Sequence, residues 1–201
     1  MSLTTAAAFS AAAAQTAADG FKYTDEQFAD IQMLRYRVEG FEKLTLKEKT
    51  FIYYLQEAAL QGRDILFDQN GRYNLRIRRL LEKVYTDYKG DRASADWQGF
   101  VTYLKRFWFS SGPHHHYGSE KFEPGFSEQW LRNALVDINY EEATCVPRTA
   151  CGKSWEELLP VIFDPAVMPM RVNQKDGDDL VLTSAANYYA PGITQAEAER
   201  F

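Results

Sequence analysis

Apolar residues recur at helical spacing through most of residues 74–136, and this pattern predicts packed helices. The two longest stripes cover residues 74–88 and 94–109, and a shorter one covers residues 127–136. In the first of these helices the basic residues lie largely off the stripe, as is typical of a solvated surface: Arg76, Arg78, Arg79 and Lys83. Amphipathic helices joined by short turns bury their stripes against one another, so we expect a helical bundle.

Three further helix starts are predicted by capping boxes, in which Ser or Thr is followed three residues later by Glu or Gln. Thr24 opens a short helix over residues 24–36, and Thr45 opens one whose apolar stripe must pack on another surface. That stripe consists of Phe51, Ile52, Leu55, Ala58 and Ala59. Ser154 opens a third helix, which Pro160 keeps short or kinked.

Glycine and proline interrupt the helical pattern after residue 110. Their density between residues 110 and 125 excludes a helix there and predicts a loop. Further along, residues 168–173 and 179–184 flank the Asp-Gly pair at 176–177, a strong turn signal that predicts an antiparallel hairpin. Thr194 then caps a helix start with no helix body behind it, which predicts that the natural protein continues past Phe201.

Together these patterns predict an α+β fold in which an N-terminal helical bundle precedes a small antiparallel β region. Cys145 and Cys151 are the only cysteines, and they are either two free thiols or a small loop disulfide. The predicted organisation has four segments: a disordered or leader segment over 1–22, a helical part over 23–136 that contains the loop 110–125, a linker loop over 137–153, and a short helix with a β-hairpin over 154–201.

Composition limits the classes of function that the chain can have. The protein has 201 residues and a formal net charge of −5, whereas nucleic-acid-binding proteins usually carry a basic excess. We therefore expect no nucleic-acid partner. Because the sequence contains no long uninterrupted apolar run, we also predict no membrane-spanning helix. The sequence is compatible with either a cytoplasmic or a periplasmic location.

The candidate chemistry centres on His114, His115 and His116, which are the only histidines in the chain. In an extended segment His114 and His116 would share one side, and Glu120 could add a third metal ligand. Catalytic zinc needs three protein ligands, however, and no H-E-x-x-H motif is present, so the segment fits either a surface loop or a loop lining a ligand cleft. The chain has no nucleophile elbow, phosphate loop or facing carboxylate pair, and we predict no catalytic residue in it.

An ordered set of short motifs resembles the N-terminal part of bacterial dipeptidyl peptidase III. The longest are YLKRFWFSSG over residues 103–112 and HHHYGSEKFEP over residues 114–124. Shorter similarities lie in residues 28–36, 53–55, 62–64, 68–71, 161–165, 171–173 and 180–184. The resemblance extends over nearly everything from Tyr23 to Phe201.

This resemblance implies a role in removing dipeptides from the N-termini of short peptides. Members of the family have two lobes around a wide cleft, and the mainly helical lobe binds zinc through H-E-x-x-G-H and E-E-x-R/K-A-D motifs. The zinc polarises the substrate carbonyl and activates water. This chain contains neither motif and resembles the leading segment of the other lobe, which has a β core. The implied partners are short peptides and the zinc-binding lobe of the same protein.

In the family, the loop that matches residues 112–124 borders the cleft. The resemblance gives Tyr117 the position of an aromatic residue in the pocket for the substrate's N-terminal dipeptide, and Gly118 lets the backbone pass close by. His115 and His116 complete the expected substrate-binding set, although the histidine triplet departs from the animal members. The alternative is a non-enzymatic helical interaction module whose anchors are Trp97, Trp108, Trp130 and Trp155.

Overall fold

The structure, a computed structural model, describes residues 20–140 and 154–200 and has an α+β fold. The chain divides into two units, Met1–Lys49 and Thr50–Phe201. Its elements are β1 Thr24–Phe28, β2 Ile31–Leu34, α1 Leu46–Gln61, α2 Arg63–Asn70, α3 Asn74–Asp87, α4 Ala95–Ser110, α5 Glu128–Asp137, α6 Leu159–Phe163, α7 Leu180–Thr183 and α8 Gln195–Ala198. Short 3-10 helices occupy Phe41–Lys43 and Trp155–Leu158. Most of the predicted leader, most of the predicted linker and both cysteines lie outside the described residues.

The first unit contains a β-hairpin where the sequence predicts a helix over residues 24–36. Strands β1 and β2 are antiparallel, with Phe28 opposite Ile31 and an irregular register toward Thr24. Ala29 has a φ of 48° and lies in the tight turn between the strands. The helix prediction is wrong because this short stretch has too few apolar residues to distinguish helical spacing from strand alternation.

Helix α1 begins at the predicted capping box. The backbone N–H of Thr45 donates to Glu48 Oε2 at 2.8 Å, and the backbone N–H of Glu48 donates to Thr45 Oγ1 at 3.3 Å. The apolar stripe behind it is not packed, since within the part of the chain that the structure describes no residue of α1 is buried. Phe51 is 63% exposed.

The second unit has a continuous apolar core built mainly by α3, α4 and α5. These helices are confirmed to within one or two residues, and Ser94 and Ser127 cap α4 and α5 by accepting backbone N–H groups. An aromatic group joins the three helices: Trp97 stacks on Tyr88 at 5.1 Å between ring centroids, and Trp130 Nε1 donates to the Tyr88 hydroxyl at 3.3 Å. The fully buried aliphatic members of the core include Ile77, Leu80, Leu81, Val84, Leu104, Leu131, Leu158, Leu159 and Ile162.

Arg76 departs from the prediction that the basic residues of α3 lie largely off the apolar face, on a solvated surface. It is only 7% exposed and forms an ion pair with Glu157. Among the residues described the Ser154 side chain makes no capping bond, so the predicted capping box at Ser154 does not form. A 3-10 turn leads instead into α6, and Pro160 lies in the first turn of α6, where its missing N–H costs little.

The C-terminal segment also differs from its prediction, because residues 179–184 form a helical turn rather than a strand. Asp179 Oδ1 accepts the backbone N–H groups of Val181 and Leu182 at 3.0 and 2.8 Å, and thereby caps α7. Gly177, with a φ of 86°, does form a turn, but no hairpin follows it. The capping box at Thr194 is confirmed, and α8 follows it. Within the described residues, the two-stranded sheet precedes the helices along the chain, whereas the sequence predicts it to follow them.

Candidate functional site

The loop over residues 112–125 starts from a fixed point at the end of α4. Ser111 ends the helix in the left-handed region, and the N–H of Gly112 donates to the Phe107 carbonyl at 3.0 Å. The side-chain amide of buried Asn74 donates to the Ser111 carbonyl at 3.3 Å. A Cβ at Gly112, whose φ is 154°, would lie 2.4 Å from that amide nitrogen. Only glycine fits between the helix end and Asn74.

From this point the chain makes a narrow hairpin-like turn. The N–H of Phe122 donates to the Pro113 carbonyl at 2.8 Å, and the N–H of His115 donates to the Glu120 carbonyl at 2.7 Å. The intervening turn presents Tyr117 and Gly118 to solvent, and Tyr117 is 85% exposed. The loop predicted from its glycines and prolines is thus present, and its tip carries the aromatic side chain.

His115 holds the tip of the turn from inside. Its Nδ1 accepts the backbone N–H of Tyr117 at 3.2 Å and that of Gly118 at 3.0 Å. A nitrogen that accepts two N–H groups carries no proton, so the neutral ring is protonated on Nε2. The ring of His116 lies against Phe109 and Tyr117, with centroid distances of 4.9 and 4.3 Å.

His114 lies in the interior, whereas the sequence left the segment open between a surface loop and a loop lining a cleft. Its Nε2 is 2.8 Å from the Met168 carbonyl, to which it donates. Burial lowers the pKa of His114, the charges of Lys121 and Arg171 lower it further, and the hydrogen bond to Met168 opposes them. His114 is therefore neutral near pH 7.

The histidines do not converge on a metal position. The chain turns after His115, so the rings of His115 and His116 lie 4.5 Å apart, whereas His114 faces Met168. Glu120 reaches only 3.9 Å from the His115 nitrogen that the turn already occupies. Across residues 20–140 and 154–200 no three His, Cys, Asp or Glu side chains form a metal-binding group. These residues do not fit a catalytic zinc site.

A groove of about 590 Å³ lies beside the exposed turn. One wall is formed by Tyr117, Gly118 and Ser119, and the other by residues 170–175. The walls are joined at one end, where the N–H of Arg171 donates to the Ser119 carbonyl at 2.8 Å. The groove lies next to this bond and is lined by residues of both segments.

The far wall is held by side chains of the same turn. Lys121 Nζ donates to the carbonyls of Asp164 and Val167 at 2.7 and 2.9 Å. Burial lowers the pKa of Lys121 to about 8, and the charge of Asp164 opposes that shift. With the bond from His114 to Met168, these contacts fasten residues 164–168 to the turn, which sets the position of the segment that follows.

Several backbone groups at the groove have no partner in the described chain. The N–H and C=O of Val172 make no hydrogen bond to another described residue, and the same holds for the carbonyls of Tyr117 and Gly118. An extended segment with free donors and acceptors is a surface on which a second extended chain can form main-chain hydrogen bonds. The arrangement has the free donors and acceptors that a peptide backbone could bind.

The four predicted site residues have two different positions. Tyr117 and Gly118 line the groove, whereas His115 and His116 support the turn behind them. Gly118 is not required by a positive φ, and a Cβ there would meet the flexible Glu120 carboxylate, 1.9 Å away. The lining also includes Arg171 and residues 173–175, which the sequence did not indicate as site residues because some fifty residues separate them from Tyr117.

The tryptophans proposed as anchors of an interaction module lie mostly against the core. Trp97 is buried, Trp130 and Trp155 are partly buried against the core, and Trp108 donates its Nε1–H to Glu82 at 2.9 Å. The interaction module stays a prediction.

No family model matches this chain, and no curated protein matches it. Of the helices in the described residues, none combines the length and apolar character needed to cross a membrane.

Proposed function

We propose that this chain is the N-terminal, zinc-less part of a dipeptidyl peptidase III-like enzyme and supplies part of the wall of its peptide cleft. The observation that carries the proposal is the groove between the turn at Tyr117 and the extended segment 170–175. The motif HHHYGSEKFEP, on which the resemblance mainly depends, contributes residues 117–119 to one wall of that groove. The segment 171–173, a second motif of the resemblance, contributes to the other wall.

The groove has the chemistry that an extended peptide needs. Its free backbone groups at Val172 and Tyr117 can bind the main chain of the ligand. The exposed ring of Tyr117 offers an apolar face and one hydroxyl, which suit a peptide side chain and its amine end. Since both walls are held by internal hydrogen bonds, the groove needs little ordering to accept a ligand.

Catalysis is assigned to another part of the protein. The sequence has no H-E-x-x-G-H motif, and the described histidines and carboxylates do not fit zinc. When bound elsewhere in the enzyme, zinc would polarise the peptide carbonyl and lower the pKa of its water. The residues of this chain would orient the substrate and would take no part in proton transfer.

The exposed apolar surface of α1 and α2 also supports a covering part of the same protein. Large apolar side chains at Phe51, Leu55, Ile65 and Leu66 are all more than half exposed. A single helix of this length is only marginally stable in water without packing. A further lobe that packs on these residues would supply the contacts that they lack.

The test is kinetic and uses the full protein encoded past Phe201. Tyr117→Ala should raise KM for dipeptidyl-naphthylamide substrates with a smaller loss in kcat, because it removes binding and no catalytic group. Tyr188→Ala is the matched control, since Tyr188 is 66% exposed and lies outside the groove lining. An unchanged KM removes Tyr117 from the site. A gene without H-E-x-x-G-H beyond Phe201, or chelator-sensitive hydrolysis by this chain alone, contradicts the proposed function.

A further inference from the structure

The charges that line the groove are all positive. Arg171 and Lys175 are among its lining residues, and no Asp or Glu is. Neither cation forms an ion pair with any carboxylate that the structure describes. A guanidinium that is half-buried and has no counter-ion is an unusual arrangement, because burial of a charge costs free energy unless it is paired.

Arg171 still has donors available for a ligand. One of its terminal nitrogens, Nη2, donates to the His116 carbonyl at 3.0 Å, and this bond fixes the side chain against the turn. A guanidinium has five N–H donors, so most of them stay open. The bond to a neutral carbonyl orients the group without neutralising its charge.

Lys121 is a further cation on the turn that forms one wall of the groove. Lys121 is half-buried and is bonded to carbonyl oxygens, and its charge and that of Arg171 both act on His114. Two acids lie next to the groove, but neither is among its lining residues. Asp178 accepts from the Asn173 side chain at 2.9 Å, and the Glu120 carboxylate lies over Gly118 and outside the lining.

We propose that this groove selects peptides that carry an acidic side chain among their first residues, with the carboxylate bound by Arg171 and Lys175. This inference rests on the proposed function and names its substrate class. Arginine suits the role because its planar fork can donate two parallel hydrogen bonds to a carboxylate. Tyr117 packs on the aliphatic stem of the peptide's acidic side chain, and the free backbone groups of Val172 bind the peptide's main chain.

The inference is tested by calorimetric titration of the chain with C-terminally amidated tetrapeptides. Amidation removes the only other carboxylate, so Ala-Glu-Ala-Ala, Ala-Gln-Ala-Ala and Ala-Lys-Ala-Ala differ in one side chain. We expect the Glu peptide to bind about tenfold more tightly than the Gln peptide at low salt, as for a partly buried charged hydrogen-bonded pair. The Lys peptide should bind most weakly. The preference should shrink as salt screens the partly exposed cations.

Three variants assign the preference to the groove. Lys175→Gln removes an exposed charge that makes no ion pair, so it should preserve the fold and reduce the preference for Glu over Gln. Arg171→Gln should abolish most of the preference, and circular dichroism checks that the turn still folds. Lys89→Gln is the control, because Lys89 is an exposed lysine of the same unit outside this groove, and it should leave the preference unchanged.

The outcomes separate this inference from the proposed function. Equal affinities for the Glu and Gln peptides overturn the acidic preference, while the kinetic effect of Tyr117→Ala still decides the peptidase role. Inorganic phosphate that displaces the Glu peptide with equal affinity indicates a general anion site and also overturns the inference. The inference is also overturned if the Glu peptide does not bind, or if the preference for Glu over Gln survives both Arg171→Gln and Lys175→Gln.

Discussion

Gly99 in α4 lies where the loop over 112–125 returns to cross the helix. A Cβ placed on Gly99 would lie 1.8 Å from the Gly125 carbonyl oxygen and 2.4 Å from its carbon. Ordinary contacts of a Cβ begin near 3.4 Å. The atoms it meets are backbone, so they cannot move away as a flexible side chain would. Gly99→Ala must therefore move the loop by about 1.5 Å or distort the helix.

The size of the effect follows from two opposing contributions. Forcing an extra methyl group into a packed site costs about 1–3 kcal/mol, and rigid backbone places this site at the upper end. Alanine gains about 1 kcal/mol over glycine inside a helix. We expect Gly99→Ala to lower the free energy of unfolding by about 2 kcal/mol. For a chain of this size that corresponds to a fall in Tm of roughly 4–8 °C.

Gly62→Ala is the matched control because it makes the same chemical change in an open position. Gly62 has right-handed helical angles, and a Cβ there meets only the Ala59 carbonyl at 3.4 Å. The gain in chain entropy and the loss of a tolerant cap offset each other, so the change should stay within about 0.5 kcal/mol. Both variants are measured by thermal and urea unfolding. A Gly99→Ala protein as stable as the control refutes the close crossing.

Three further predictions concern the contacts that hold the second unit. Arg76→Met should cost about 2 kcal/mol in urea unfolding, because it removes a partly buried ion pair, whereas Arg79→Met on the exposed side of α3 should be neutral. Equal effects of the two changes contradict the burial of Arg76. His114 has a lowered pKa in the folded state, so the unfolded chain takes up a proton first and the free energy of unfolding should fall as pH decreases from 7 to 5. His114→Gln should flatten this pH dependence, and an unchanged slope refutes the lowered pKa of His114. The backbone N–H groups on Asp179 lower the pKa of its carboxyl, so its stabilisation is present above the unfolded value of 3.8 and is lost as pH falls through the folded value. Asp179→Asn should accelerate hydrogen exchange in α7 and α8, while Asp176→Asn should not; equal protection in both variants excludes Asp179 as their common cap.

Helices α3, α4 and α5 could be predicted from the sequence because one local signal decides each of them. In α3 and α4 the apolar residues recur over four turns, and a serine cap fixes the start of α4. The hairpin at residues 24–34 could not be predicted in this way. Its few apolar residues fit both periods, and the register depends on cross-strand pairs such as Gln27 with Gln32, which no local pattern records.

The turn at residues 179–184 shows a different reason for failure. Its largely apolar sequence after an Asp-Gly pair reads as a strand, but Asp179 can satisfy the first N–H groups of a helix. The same carboxylate also accepts the N–H of Gln195, sixteen residues away, at 2.9 Å. This tertiary contact stabilises the helical turn, and a prediction from local sequence propensity does not include it. The burial of Arg76 depends in the same way on a distant residue, its ion-pair partner Glu157.

Only one wall of the candidate site, the turn at Tyr117, could be predicted from the sequence. The turn at Tyr117 is one continuous motif, and its glycines and prolines already indicate a loop. The opposite wall comes from residues 170–175, which reach the turn only through contacts made by His114 and Lys121. Those two side chains point inward and read from the sequence as members of a polar loop.

The hydrogen bonds that hold the two walls of the groove affect how tightly it can bind a peptide. Gly112 and Asn74 hold the start of the turn, and His115 bonds its tip from within. Lys121 and His114 hold the other wall through carbonyl oxygens. A peptide entering this space would find both walls in place and would lose mainly its own conformational freedom, so affinity should respond directly to contacts made with Arg171 and Tyr117. Weakening the inner bonds, for example by His114→Gln, should then lower peptide affinity although His114 never touches the ligand.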